Sequence, residues 1–140
     1  MSLGLYLHIP YCFSKCRYCD FYSHPGERGV PEAYVDALVR ELDRFAPEAP
    51  LQPDTLYFGG GTPSLLRPEQ AKRLIDAARP MPGAEITLEA NPETVTEESL
   101  AGFREAGVNR ISFGVQSARD TQLRTLGRPH TAKQARAAFA

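Results

Sequence analysis

Little in this sequence is one-sided. Its 16 basic and 17 acidic residues leave a formal charge of −1 and a pI of about 6.3, so no basic field draws it to nucleic acid or to an anionic membrane. No apolar run is long enough to cross a bilayer, and residues 1–10 lack the basic start and apolar stretch of a secretory signal. Internal repeats and low-complexity segments are missing, and the glycines at 59–61 fit neither a P-loop nor a dinucleotide fingerprint. Cysteine is scarce and odd in number, with three in 140 residues. In the cytosolic, reducing setting taken as the default, three closely spaced thiols point to metal ligation or catalysis rather than to a disulfide framework.

What remains is ordinary for a soluble globular domain with one core: 42% hydrophobic and 24% charged residues. Proline is slightly rich, at 12 residues, which suits stiff loops and helix starts.

Along the chain, short strand signals alternate with amphipathic helix signals. Strands are predicted over residues 5–9, 55–58, 85–90 and 110–115, with the run Gly59, Gly60, Gly61 breaking the second sharply. A cysteine-rich loop runs to about Gly29. A helix over 31–45 places Tyr34, Val35, Leu38, Leu42 and Phe45 on one face, and a second helix covers 68–79. Thr96 is a good N-cap, followed by Glu97 and Glu98 near the positive end of the helix dipole, and Gly107 is a natural terminator. From Thr131 onward another helix begins.

This βαβα order predicts an α/β fold, a parallel sheet with helices packed outside. Leu5, Leu7 and Ile9 alternate with Tyr6 and His8; Ile86, Leu88 and Ala90 with Glu85, Thr87 and Glu89; Ile111, Phe113 and Val115 with Arg110, Ser112 and Gln116. Successive strand residues point to opposite faces, so each strand has an apolar and a polar face. A parallel sheet packed only for stability reads as apolar on both. The alternation therefore suits a partial (β/α) barrel whose interior holds a polar ligand. About four βα units are visible, half of a full barrel of about 250 residues. The expectation is that residues 1–140 are the N-terminal part of such a barrel, with the later strands and a C-terminal domain missing and a strand edge left unpaired.

The strongest chemical signal is Cys12-Phe-Ser-Lys-Cys16-Arg-Tyr-Cys19. Three thiolates can each ligate one iron of a [4Fe–4S] cube, which ordinarily takes four cysteines, and the fourth iron is then open to a small molecule. A structural zinc site with His8 or His24 as fourth ligand is the competing reading. The glycine run after the second strand lets backbone approach a ligand with no Cβ in the way, or serves as a plain tight turn.

The spacing Cys-x3-Cys-x2-Cys, with aromatic Tyr18 before the last cysteine, resembles the signature of the radical S-adenosylmethionine (SAM) superfamily. Within it, Tyr6-Leu-His8-Ile-Pro-Tyr-Cys12, Phe58-Gly-Gly-Gly-Thr-Pro63, Glu89-Ala-Asn-Pro92, Gly114-Val-Gln-Ser117 and Leu126-Gly-Arg-Pro-His130 resemble, in the same order, motifs of the oxygen-independent coproporphyrinogen III oxidase family. The resemblance implies that Cys12, Cys16 and Cys19 ligate the cluster and that SAM chelates the open iron. It implies that Gly60, Gly61 and Thr62 meet the amino acid end of SAM, and that Glu89, Gln116 and Arg128 line its pocket with Tyr6 and Tyr18 near the cluster. Against these roles, Tyr6 could be core and Arg128 a solvated charge. His8 reads as interior packing, and His24 and His130 carry no assignment.

In the oxidases of that family a further cysteine follows as Cys-x-Cys, and a longer segment precedes the first strand. Here Asp20-Phe21 follows Cys19, with Ser23-His24 beyond. That run resembles the haem chaperone branch, which implies a cytoplasmic protein that binds the cluster, SAM and haem and delivers haem to target proteins. The alternative within the family is decarboxylation of a porphyrinogen by a SAM-derived radical. Outside it, the alternative is a zinc-stapled binding module.

Overall fold

Four parallel strands, Gly4–Ile9, Thr55–Gly60, Glu85–Ala90 and Arg110–Phe113, form the sheet in sequence order, and each is joined to the next by a helical crossover, the first of which also carries the cysteines. The computed structural model describes residues 2–14, 16–20, 22–25, 28–45 and 51–140. β1 is Gly4–Ile9, β4 is Thr55–Gly60, β5 is Glu85–Ala90 and β6 is Arg110–Phe113. Two residues each make β2 (Tyr11–Cys12) and β3 (His24–Pro25), a parallel pair inside the predicted cysteine loop. Helices α1 (Glu32–Phe45), α2 (Pro68–Ala78) and α3 (Glu97–Ala106) follow the sequence expectation closely.

The register aligns the alternation seen in the sequence. Leu7, Phe58, Leu88 and Ile111 lie side by side across the sheet, and so do Tyr6, Tyr57, Thr87 and Arg110 on the other face. The first row and its neighbours pack against Val35 and Leu42 of α1, Ala71, Leu74 and Ile75 of α2, and Phe103 of α3. Burial of this face drives the fold, since each fully buried large apolar side chain contributes about 1.5–3 kcal/mol. Phe45, expected on the same helix face, is instead 74% exposed. Thr87, predicted on the polar face, is buried because β5 has neighbours on both sides.

Ends of elements bear out the local signals and refine them. Thr96 Oγ1 accepts a hydrogen bond from Ser99 N at 3.1 Å, and Gly107 closes α3 at φ 117°. β4 continues through Gly59 and Gly60, which pair with His8 and Ile9, so the glycines extend that strand before ending it. β6 stops at Phe113, two residues early, because tight hydrogen bonds from Val115 N to Phe113 O and from Ser117 N to Val115 O turn the chain. α4 (Asp120–Leu126) was not foreseen: only Leu123 in it is buried, too few apolar residues to show a helical period. α5 (Ala132–Phe139) starts at the expected Thr131 cap.

Helices α1 and α2 are also laced by polar contacts. Buried Gln70 donates to Val30 O at 2.9 Å, and Arg73 pairs with Glu32 and Asp36 at 2.8 and 2.6 Å. Exposed pairs of this kind contribute at most about 1 kcal/mol each, so the apolar layer dominates.

Gly102 sets how closely α3 approaches α2. A Cβ there would lie 2.6 Å from Pro68 Cγ and 2.9 Å from Pro68 Cβ. Helix propensity alone favours Gly102→Ala by about 1 kcal/mol, whereas overpacking against a rigid ring costs roughly 1–3 kcal/mol. Urea denaturation is expected to show G102A less stable by about 1 kcal/mol; a more stable variant would show that the helices separate freely.

Candidate functional site

Because β1, β4, β5 and β6 run parallel, their C-terminal ends share one edge of the sheet, and the residues that follow them meet there. They enclose a cavity of about 540 Å³ lined by Cys12, Cys16, Tyr18 and Cys19, by Gly60, Gly61 and Thr62, and by Glu89, Gln116 and Arg128. Ten of the eleven residues singled out in the sequence therefore meet in one place. Tyr6 does not line the cavity. It is 54% exposed on the polar face of β1 and stacks on Tyr57 with ring centroids 6.0 Å apart.

The cysteine loop is held against the glycine loop by backbone. Gly61 N donates to Ile9 O at 2.8 Å and Thr62 N to Tyr11 O at 2.7 Å. This contact requires glycine: a Cβ on Gly61 would lie 2.6 Å from Tyr11 O and 2.8 Å from Cys12 Sγ. Gly60, at φ 113°, is both left-handed and pressed against the His8 ring, where a Cβ would lie 2.7 Å from ring atoms. Within the loop Cys19 N donates to Cys16 O at 3.0 Å, a tight turn that brings the second and third thiols round. Lys15 and Phe21, which belong to the motif marking the family branch, lie outside the described residues.

Arg128 is 8% exposed, so the surface reading of that residue does not hold. Its NH1 donates to Cys16 Sγ at 3.2 Å, and its NH2 donates to Asn91 Oδ1 at 2.7 Å and to Gly114 O at 2.5 Å. Burial pulls the guanidinium down, but the hydrogen bond to Cys16 and the neighbouring Tyr18, Cys16 and Glu93 raise it above its ordinary value, so it stays a cation. Arg128 Nε is buried and, among the described residues, has no partner. Glu89 accepts the Tyr57 hydroxyl at 2.7 Å through Oε1, and among the described residues its Oε2 has none. The cavity thus brings a carboxylate, a guanidinium and three thiols together.

Among the described residues, no three His, Cys, Asp or Glu side chains converge tightly enough to hold one metal ion. His8, weighed as a zinc ligand, has Nδ1 3.1 Å from Tyr6 Oη and Nε2 3.0 Å from Tyr22 O. His8 is thus half-buried and hydrogen-bonded on the polar face of β1, not packed in the interior as expected. His24 lies on β3 with Nε2 3.5 Å from Tyr22 Oη.

Three residues of the site escaped sequence reasoning. Tyr57 supports Glu89. Asn91 links Thr62 Oγ1, at 3.3 Å, to Arg128. His130, unassigned from sequence, is buried with Nε2 3.0 Å from Val115 O. For Asn91 and His130 the signal was their place inside the quoted motifs; nothing marks Tyr57 apart from a strand aromatic.

Comparison with known proteins places the chain. The profile of the Radical SAM superfamily matches residues 6–140. The chain is 45% identical over 142 residues to Heme chaperone HemW of Escherichia coli (strain K12), covering 97% of this chain and 38% of that protein. It is 42% identical over 138 residues to Radical S-adenosyl methionine domain-containing protein 1, mitochondrial, of Bos taurus, covering 94% of this chain and 31% of that one. Among solved structures, coproporphyrinogen III oxidase (HemN) from Escherichia coli, a radical SAM enzyme, overlays with a TM-score of 0.87 at 30% identity, covering 99% of this chain and 33% of its own. The chain spans 31–38% of the length of these curated relatives. No helix among the described residues is long and apolar enough to cross a membrane.

Burial raises the hydroxyls of Tyr6, Tyr18, Tyr34 and Tyr57 above their ordinary 10.0, with Glu89 adding to the shift at Tyr6 and Tyr57. A raised folded-state value contributes stability that is complete below pH 10 and lost as pH rises through the folded values. Tyrosinate absorbance should therefore rise later in the folded than in the unfolded chain, and denaturation midpoints should fall above pH 10. Y57F should flatten that fall; an unchanged slope would exclude Tyr57 from it.

Proposed function

This chain belongs to the radical SAM superfamily, and on that premise we propose that it is the cluster- and SAM-binding core of a haem chaperone. The observation that carries this reading is the contrast in likeness: 45% identity to a haem chaperone against 30% to the coproporphyrinogen oxidase, each over nearly the whole chain. The absence of a Cys-x-Cys after Cys19 supports the same choice.

Cys12, Cys16 and Cys19 hold a [4Fe–4S] cluster, one thiolate to an iron. The free thiols, the cavity beside them and the Arg128 donor on Cys16 fit an anionic cluster. When bound, the cluster offers an open iron to SAM and an electron to its sulfonium.

The remaining groups match the charges of SAM. Gly60, Gly61 and Thr62 bring backbone to its amino acid end. Glu89, with a free oxygen, takes positive charge, while the Arg128 guanidinium, which lines the cavity, sets a positive charge opposite its carboxylate. Gln116 closes the pocket, and Tyr18 stands beside Cys16. Tyr6 and Tyr57 present stacked rings farther down the polar face. Haem, the haem-accepting target proteins and a cytoplasmic setting come with the chaperone reading.

The oxidase is the second reading, favoured by the TM-score of 0.87. In either, the superfamily's cluster and SAM are common ground.

Electron paramagnetic resonance (EPR) of the anaerobically reconstituted, dithionite-reduced protein tests the shared core. A [4Fe–4S]⁺ signal that changes on adding SAM is expected; zinc in place of iron and sulfide would overturn it. Cys16→Ser should abolish the signal, and Gly61→Ala should weaken cluster assembly because its Cβ displaces the Cys12 segment.

Titration with haem separates the two readings. Tight haem binding without porphyrinogen turnover is expected, whereas turnover without tight haem binding would give the site to the oxidase.

A further inference from the structure

The segment Gly127–His130 sends two side chains to the same pair of loops. Arg128 reaches Asn91, after β5, and Gly114, after β6. His130 reaches Glu93, two residues past Asn91, and Val115, next to Gly114. The two side chains make a double clasp between the loops that follow β5 and β6. Only Arg128 lines the cavity; His130 is behind it, with a side chain 0% exposed.

The atoms facing His130 constrain its role. A carbonyl only accepts, so Nε2 donates to Val115 O. Nδ1 lies 3.0 Å from Glu93 Oε2, off the hydrogen-bond line, and among the described residues neither atom has a hydrogen-bond partner. Glu93 therefore abuts the imidazole edge from the loop after β5, and the two side chains limit each other's movement by packing.

What the pairing holds is strained. Gln116 follows Val115 and stands at φ 69°, a left-handed conformation that a residue with a Cβ keeps only when its surroundings over-determine it. The bond from His130 fixes the carbonyl of the Val115–Gln116 peptide, and so fixes the peptide from which Gln116 starts. The same segment delivers Arg128 to Cys16.

We propose that His130 is a positioning residue for the SAM pocket: through Val115 and Glu93 it holds Gln116 in its left-handed conformation and seats Arg128 over Cys16. The role rests on the reading of the cavity as a SAM site.

The test is SAM affinity, read from the SAM-induced change in the EPR signal of the reconstituted protein, alongside iron content and the signal without SAM. His130→Ala is expected to weaken SAM binding about tenfold, or ~1.4 kcal/mol, with iron content and the SAM-free signal unchanged. His130→Gln keeps a neutral donor for Val115 O and should recover most of the loss. Glu93→Ala removes the side chain that abuts the ring, keeps the Val115 bond and should weaken binding by a smaller factor, about threefold; it also serves if H130A does not fold. Wild-type affinity in E93A, joined by wild-type affinity in H130A where it folds, overturns the proposal. So does loss of the cluster in step with loss of SAM binding, because the clasp would then be general scaffolding. A wild-type protein whose signal ignores SAM would instead sink the SAM reading of the cavity.

Discussion

The guanidinium of Arg128 is the demand around which the site is arranged. A buried cation costs several kcal/mol unless it is paired and hydrogen-bonded, and this one is 8% exposed. Its acceptors come from three separate loops: Cys16 after β1, Asn91 after β5 and Gly114 after β6. Satisfying one side chain therefore fixes the relative position of all three. The cysteine loop, with little apolar burial of its own, gains its place at the cavity from this pairing and from the backbone bonds of Gly61 and Thr62.

That arrangement depends on the sheet beneath it. Parallel pairing puts the ends of β1, β4, β5 and β6 on one edge, and the helices cover the apolar face only. The opposite face is left for Tyr6, His8, Tyr57, Glu89 and Ser112, so polar and aromatic groups collect where the loops converge. Energetic strain at that edge is tolerated: Gln116 sits in a left-handed conformation beside two tight turns. Such conformations persist where packing and hydrogen bonds leave no alternative.

Much of this was legible in advance. Strand alternation has a period of two, so Leu5–Leu7–Ile9 and Ile86–Leu88–Ala90 announced both their strands and the faces these would bury. Thr96 and Gly107 marked their helix because capping is a local backbone requirement. α4 was not legible, since one buried leucine in seven residues makes no pattern. Phe45 was misplaced because a helical face predicts which side a residue takes, not whether a neighbour reaches that far. Gly59 and Gly60 read as a break, but pairing with β1 kept them in the strand.

By itself the sequence determined the three thiols at their set spacing, the glycine run that admits close backbone approach, and the alternating strands that make a two-faced parallel sheet. These are properties of neighbouring residues, governed by covalent geometry and periodicity. Only the tertiary structure decided that Arg128, 112 residues from Cys16, donates to its sulfur. It likewise decided that Tyr57 supports Glu89, and that Glu93 and His130 meet in a buried pair behind the cavity. Such contacts are set by strand register and crossover packing, which bring together residues that share no local pattern.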